Sequence, residues 1–226
     1  MRATLLLGFA CLSAVPASIR AEVDVQPDVR ELTLVGPEGA GNERAGEAWR
    51  RIAAAGPEAL AHLLKQTGKA GPVADNWLRL ASNVIVDRAV KSGGKLPLAE
   101  LESFVRETGN GDAARVLAFD LLAQADQGRA KALEVTLTED PVQSLRRGAV
   151  AHLISVAATL EGDAAKKAYL EALRVVRDED QTKAVADALR KMGHTVDLPK
   201  HFGFITHWDV IGPFDNVDRK GFDAQF

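Results

Sequence analysis

Five histidines, one cysteine and scattered carboxylates are the side chains of this sequence that could do chemistry. His62 and His152 stand alone, whereas His194, His201 and His207 lie close together near Asp209 and Asp215. Imidazole and carboxylate in one segment raise zinc ligation as the chemistry to weigh. Yet neither a His pair on one helical face nor another recognised zinc spacing occurs, so no metal site is expected. Asp215-Asn216-Val217-Asp218, with Gly221 and Asp223, gathers the oxygen donors that calcium prefers. Val217 stands where an EF-hand loop would need a ligand, and tight-turn chemistry explains Asp, Asn and Gly equally well. Both readings stay open.

Catalytic constellations are missing. Gly-x-Ser-x-Gly does not occur. Gly36-Pro37-Glu38-Gly39-Ala40-Gly41 is glycine-rich but lacks the Lys-Ser/Thr end of a phosphate loop. The acidic runs Glu139-Asp140 and Asp178-Glu179-Asp180 fall at the starts of expected helices, where carboxylates cap exposed N–H groups and favour the helix dipole. No catalytic residue and no cofactor are expected, and the chain reads as a non-enzyme.

The single cysteine, Cys11, lies in the apolar run Ala3 to Val15 that follows Met1-Arg2. A charged start and a short apolar core are the marks of a secretory signal peptide, with Ala21 offering a cleavage point before Glu22. The run falls short of the roughly 20 residues needed to span a membrane. Residues 1–21 are therefore expected to direct export to the periplasm or the medium, leaving a mature chain without thiols or a membrane span. A buried N-terminal helix and a lipidated Cys11 are the alternatives.

The whole chain, 226 residues with 46% hydrophobic content and a net charge of −3, is long enough to bury a core. Its 28 basic and 31 acidic residues are interspersed, without the basic stripe of a nucleic-acid binder. Residues 22–42, broken by Pro27, Gly36, Pro37, Gly39 and Gly41, read as a linker or extended arm. Helical punctuation follows. Expected helices run from Glu43 to Ala55, Pro57 to Gly68, Pro72 to Lys91, Pro97 to Thr108, Asp112 to Ala125 and Gln127 to Thr138. Asp140-Pro141 opens a seventh, Asp163 caps an eighth, and Asp178 or Asp180 caps a ninth that stops at Gly193. Val73, Trp77, Leu80, Ala81, Val84 and Ile85 are read as the inward face of the third. Short helices with short connections pair as hairpins, taken two by two from Glu43, and hairpins bury their faces by stacking.

Asp140-Pro141-x-x-x-Leu145-Arg146-Arg147-x-Ala149-Val150-x-x-Leu153 resembles the second half of a HEAT repeat, and Ala54-Ala55-Gly56-Pro57-Glu58-Ala59-Leu60-x-x-Leu63-Leu64 resembles its inter-helix turn. The resemblance covers residues 43–193. It implies a mainly α fold, a right-handed α-solenoid of antiparallel hairpins of the HEAT/ARM type. It also implies that Asp140, Arg146 and Arg147 brace neighbouring repeats, and that the partner is another protein.

Beyond Gly193 the composition changes, because six of the chain's twelve aromatics fall in the last 25 residues. Phe202 to Thr206 and Trp208 to Ile211 read as strands of a short β-hairpin-like C-terminal segment, and Gly212-Pro213-Phe214-Asp215-Asn216 as a turn. His201 to Asn216, with Trp208, Gly212, Pro213, Phe214, Asp215 and Asn216 at its centre, resembles a junction in large exported proteins of planctomycete-like bacteria. There a galactose-binding-like β-sandwich follows a helical repeat region. This resemblance implies that residues 194–226 begin a β-sandwich and that a glycan could be bound through a further C-terminal domain. The competing expectation is that these strands fold back on the last helices as a cap.

Overall fold

The computed structural model describes residues 24–210, and its fold is mainly helical, with eleven α-helices and no strand among the described residues. The chain divides between Ala130 and Lys131 into two compact units.

The first helix lies where a linker was expected. In α1 (Gln26–Thr33), Pro27 occupies the first turn, where a missing backbone N–H leaves no bond unmade. Val25, Val29 and Leu32 recur at helical spacing and are buried, as is Val35 beyond the helix end. The expectation of an extended arm over 22–42 is corrected for the described part of that stretch. Proline there starts a helix rather than breaking one. A 3-10 turn, Pro37–Gly39, follows, in which Glu38 takes a left-handed conformation with φ 56°.

Helices α2 (Asn42–Ala54), α3 (Leu60–Gln66), α4 (Pro72–Ser92), α5 (Leu98–Arg106) and α6 (Asp112–Ala125) complete the first unit. α1 packs on α2, α3 on α4 and α5 on α6, while α2, α4 and α6 contact one another in sequence. Pairing the helices two by two from Glu43 is thus one helix out of phase, and the omission of α1 is the cause. The core is built from fully buried Leu32, Ile52, Leu63, Ile85, Leu117 and Leu121, each worth about 1.5–3 kcal/mol relative to exposure.

The expected inward face of α4 is also shifted. Ala74, Leu78, Ala81, Ser82, Ile85, Val86 and Ala89 are buried, whereas Val73 and Leu80 are 44% and 54% exposed. α4 touches α1, α2, α3 and α6, so its neighbours surround several of its faces. Apolar residues on more than one side blur the single stripe from which a face is read.

In the second unit, α8 (Gln143–Ala157) packs on α9 (Gly162–Val175), and α10 (Glu179–Lys191) packs on both. The division between the units falls inside α7 (Gln127–Glu134). Val150, Ala157, Tyr169, Leu173, Val185 and Leu189 form the shared core. Asp163 sits inside the first turn of α9 rather than capping it, because the helix begins at Gly162 with Glu161 at the cap position. After α10, Asp197 caps the one-turn α11 (Leu198–His201) by accepting a hydrogen bond from the Lys200 N–H at 3.1 Å.

The expected strands Phe202–Thr206 and Trp208–Val210 are not formed, and residues 204–210 have no regular structure. A strand needs a neighbour to take its alternating N–H and C=O groups, and the described remainder of the chain is helix and turn. The Phe204 N–H instead donates to the Pro199 carbonyl at 2.8 Å, closing α11. Phe204 and Trp208 are left 66% and 74% exposed. The expected signal peptide, Ile211 and the turn and calcium candidates from Gly212 to Asp223 lie outside the described residues.

Candidate functional site

Among the residues singled out from sequence, Asp140, Arg146 and Arg147 are brought together. The turn before α8 is tied by the Asp140 carboxylate, which accepts the Val142 N–H at 2.9 Å. Arg146, the fourth residue of α8, is buried and donates from Nη1 to the carbonyls of Asp140 (2.7 Å) and Pro141 (3.2 Å). Arg147 points the other way. Its guanidinium forks onto both oxygens of Asp180 in the first turn of α10, with Nη1 at 2.8 Å from Oδ1. It also stands 3.8 Å from Asp178.

Two further bonds close this clamp. Gln143 donates to Asp178 at 2.6 Å, and Gln181 donates to the Arg147 carbonyl at 2.9 Å. Asp178 and Gln181 have the spacing of a capping box, which would tie them to their own helix. Instead both reach across to α8. The hydrogen bonds from Arg147 hold the Asp180 carboxyl down at about 2, and the same pair raises the Arg147 guanidinium above its ordinary value. A carboxylate so held is no general base at neutral pH. Three buried atoms of the clamp, Arg146 Nε, Asp178 Oδ2 and Gln181 Oε1, have no protein partner.

Two other arginines perform a task that sequence reasoning passed over. Arg115, fully buried at the fourth position of α6, donates from Nε to the Val105 carbonyl at 2.8 Å, near the C-terminal end of α5. Arg88 donates to the carbonyls of Ala53 and Ala55 at the end of α2. The last carbonyls of a helix have no partner within it, and these guanidinium groups, Arg115 buried and Arg88 exposed, satisfy them. The signal for Arg115 was present. An apolar residue, Arg, two residues and Ala recur as Ala114-Arg115-x-x-Ala118 and Leu145-Arg146-x-x-Ala149.

The histidines are spread among separate local roles. His201 Nε2 lies 3.2 Å from the Leu173 carbonyl, with its ring edge-on to Phe202. His207 lies 3.2 Å from the neighbouring Thr206 hydroxyl. His62 belongs to the first unit and His152 to α8. Among the described residues no group of three or more His, Cys, Asp or Glu side chains could hold a metal ion. No helix among them is long and apolar enough to cross a membrane.

Concave surface is plentiful by contrast. In the first unit an apolar groove of about 480 Å³ lies over α3 and α5, floored by Leu60, Leu64, Leu96, Leu101 and Phe104. A polar cleft of about 880 Å³ lies between α1 and α3. In the second, a hollow of about 600 Å³ is lined by α10, Leu198, Phe202 and Phe204. No family model, curated protein or solved structure matches this chain. Its function has to be read from its own residues.

Proposed function

We propose that the protein is an exported, non-enzymatic scaffold for protein–protein interaction, built as a HEAT-like right-handed α-solenoid of antiparallel hairpins. The observation that carries this reading is the packing of the first unit. Three successive pairs, α1–α2, α3–α4 and α5–α6, join through the run α2, α4, α6. Stacked pairs expose long continuous faces suited to a partner chain rather than a small substrate. The grooves along α3 and α5 and the exposed Val73 and Leu80 of α4 provide apolar contact area of that kind. Arg147 on Asp180 is, in this reading, the brace between helices of neighbouring repeats.

Photo-crosslinkable side chains placed at Val73 and Leu80, in the mature protein expressed in its native host, are expected to trap a discrete partner. The absence of any adduct at both positions would count against a scaffold. For export, the mature protein is expected to begin at Glu22, and recovery with Met1 intact would sink that part of the reading.

A second reading draws on the exposed Phe204, Ile205, Trp208 and Val210. In this reading the chain is the N-terminal fragment of a larger glycan-binding or carbohydrate-active protein whose functional domain lies beyond residue 226, and these residues lead toward that domain. An in-frame continuation with alternating strand patterning in the coding DNA supports this reading, and a stop codon after Phe226 rejects it.

A further inference from the structure

We propose that the cleft between α1 and α3 is the subsite where the scaffold receives an acidic, partly apolar peptide segment of its partner, an inference that rests on the interaction reading above. The donors and acceptors lining this cleft are unequally committed. Its two carboxylates are in use: Asp24 Oδ1 accepts the Gln26 N–H at 3.0 Å, and Glu31 pairs with Arg44 at 3.5 Å. Arg30, His62 and Lys65 also line the cleft, and among the described residues their side chains make no hydrogen bond or ion pair. Asp24 keeps its negative charge and Arg44 offsets that of Glu31, so with Arg30 and Lys65 the cleft offers a ligand unused hydrogen-bond donors and a single net positive charge.

The two helices place these groups by simple periodicity. Gln26, Arg30 and Leu34 follow one another at intervals of four along α1 and its end, and His62, Lys65 and Gln66 share one face of α3. α1 and α3 pack against each other, so the two polar faces border one hollow. Its volume, about 880 Å³, exceeds what a lone ion fills and suits several residues of a peptide. Exposed Leu34 adds an apolar wall beside the cations. Arg30 supplies a planar fork that matches a carboxylate, and Lys65 a mobile point charge.

The test uses the full mature chain and a fluorescein-labelled peptide of four Glu-Leu repeats, with a Gln-Leu peptide as its uncharged counterpart. Binding of the Glu-Leu peptide is expected to perturb the imidazole resonances of His62. It is expected to weaken at least about tenfold in the R30E/K65E double variant, and to fall as salt is raised through about 0.3 M. The K166E/K167E variant, changed on α9 of the second unit, serves as the control and should bind as the unmodified chain does. Equal binding of the Gln-Leu peptide, or of the R30E/K65E variant with unchanged helicity, overturns the assignment. So does full displacement by millimolar inorganic phosphate, which would mark a site for isolated anions. If R30E/K65E still crosslinks the same partner through Leu80 with undiminished yield, the scaffold reading stands and the cleft is excluded. If the Glu-Leu peptide binds as expected but nothing is trapped in the host, the cleft stands and the scaffold reading fails.

Discussion

Arg115 in the first unit and Arg146 in the second hold the same place, the fourth residue of a helix, and both serve backbone carbonyls. Their surroundings differ. Arg115 is fully buried, whereas Arg146 sits beside a polar clamp that runs out to exposed Arg147 and Asp180 and contains buried atoms without protein partners. The first unit encloses its one deep charge within a core. The second spreads its polar groups from interior to surface. The same local device can therefore be held by burial in one region and by charge pairing in another, and the two should respond to different insults.

The largest effect is expected where burial alone is at stake. Leu32→Ala removes a fully buried side chain of α1 and should cost about 3 kcal/mol in urea unfolding. A loss under about 1 kcal/mol would mean that α1 does not belong to the core of the first unit. Next, Arg115→Met should cost about 2 kcal/mol, because the carbonyl of buried Val105 loses its donor. The matching Arg146→Met should cost less, since it also removes an Nε with no partner. Equal losses would erase the contrast between the units.

The clamp supplies a smaller effect of a different kind. Asp180 is held at about 2 in the folded chain, below the roughly 3.9 of an unfolded aspartate. A depressed carboxylate contributes stability that is present above the unfolded value and disappears as pH falls through the folded one. Carboxyl NMR titration should therefore find Asp180 near 2 and, in Arg147→Ala, raised toward the roughly 3.9 of the unpaired residue. High salt should weaken the exposed Arg147–Asp180 pair while leaving the Arg115 bond unchanged. Smallest of all, Trp49→Phe deletes a buried Nε1 without a protein partner and should change stability by under about 1 kcal/mol.

Much of the helical punctuation was legible because glycine and proline mark it. Residues 112–125 were read to the residue, and Pro72 opens α4 as expected. The failures have physical causes. Pro27 reads as a breaker in the sequence although the first helical turn accepts proline, and the Val25, Val29 and Leu32 spacing is the signal that betrays α1. Asp178 and Gln181 carry a local capping pattern, but tertiary contacts with α8 take their side chains away from it. The strand reading of Phe202 to Val210 followed side-chain type, whereas strands depend on a neighbour that composition does not reveal. Arg146 and Arg147 were found through resemblance. Arg115 was missed because its helix lacks the Asp-Pro introduction that drew attention to α8.

The position of α1 has a practical consequence for anyone cutting this gene. A boundary at Glu43, the start of the region expected from sequence to be helical, would strip α1 from the α1–α2 pair. The flank of α2 that packs on α1 would then face water. An expression product beginning at Asp24 keeps that flank covered and should stay in solution, whereas one beginning at Glu43 should precipitate or clump.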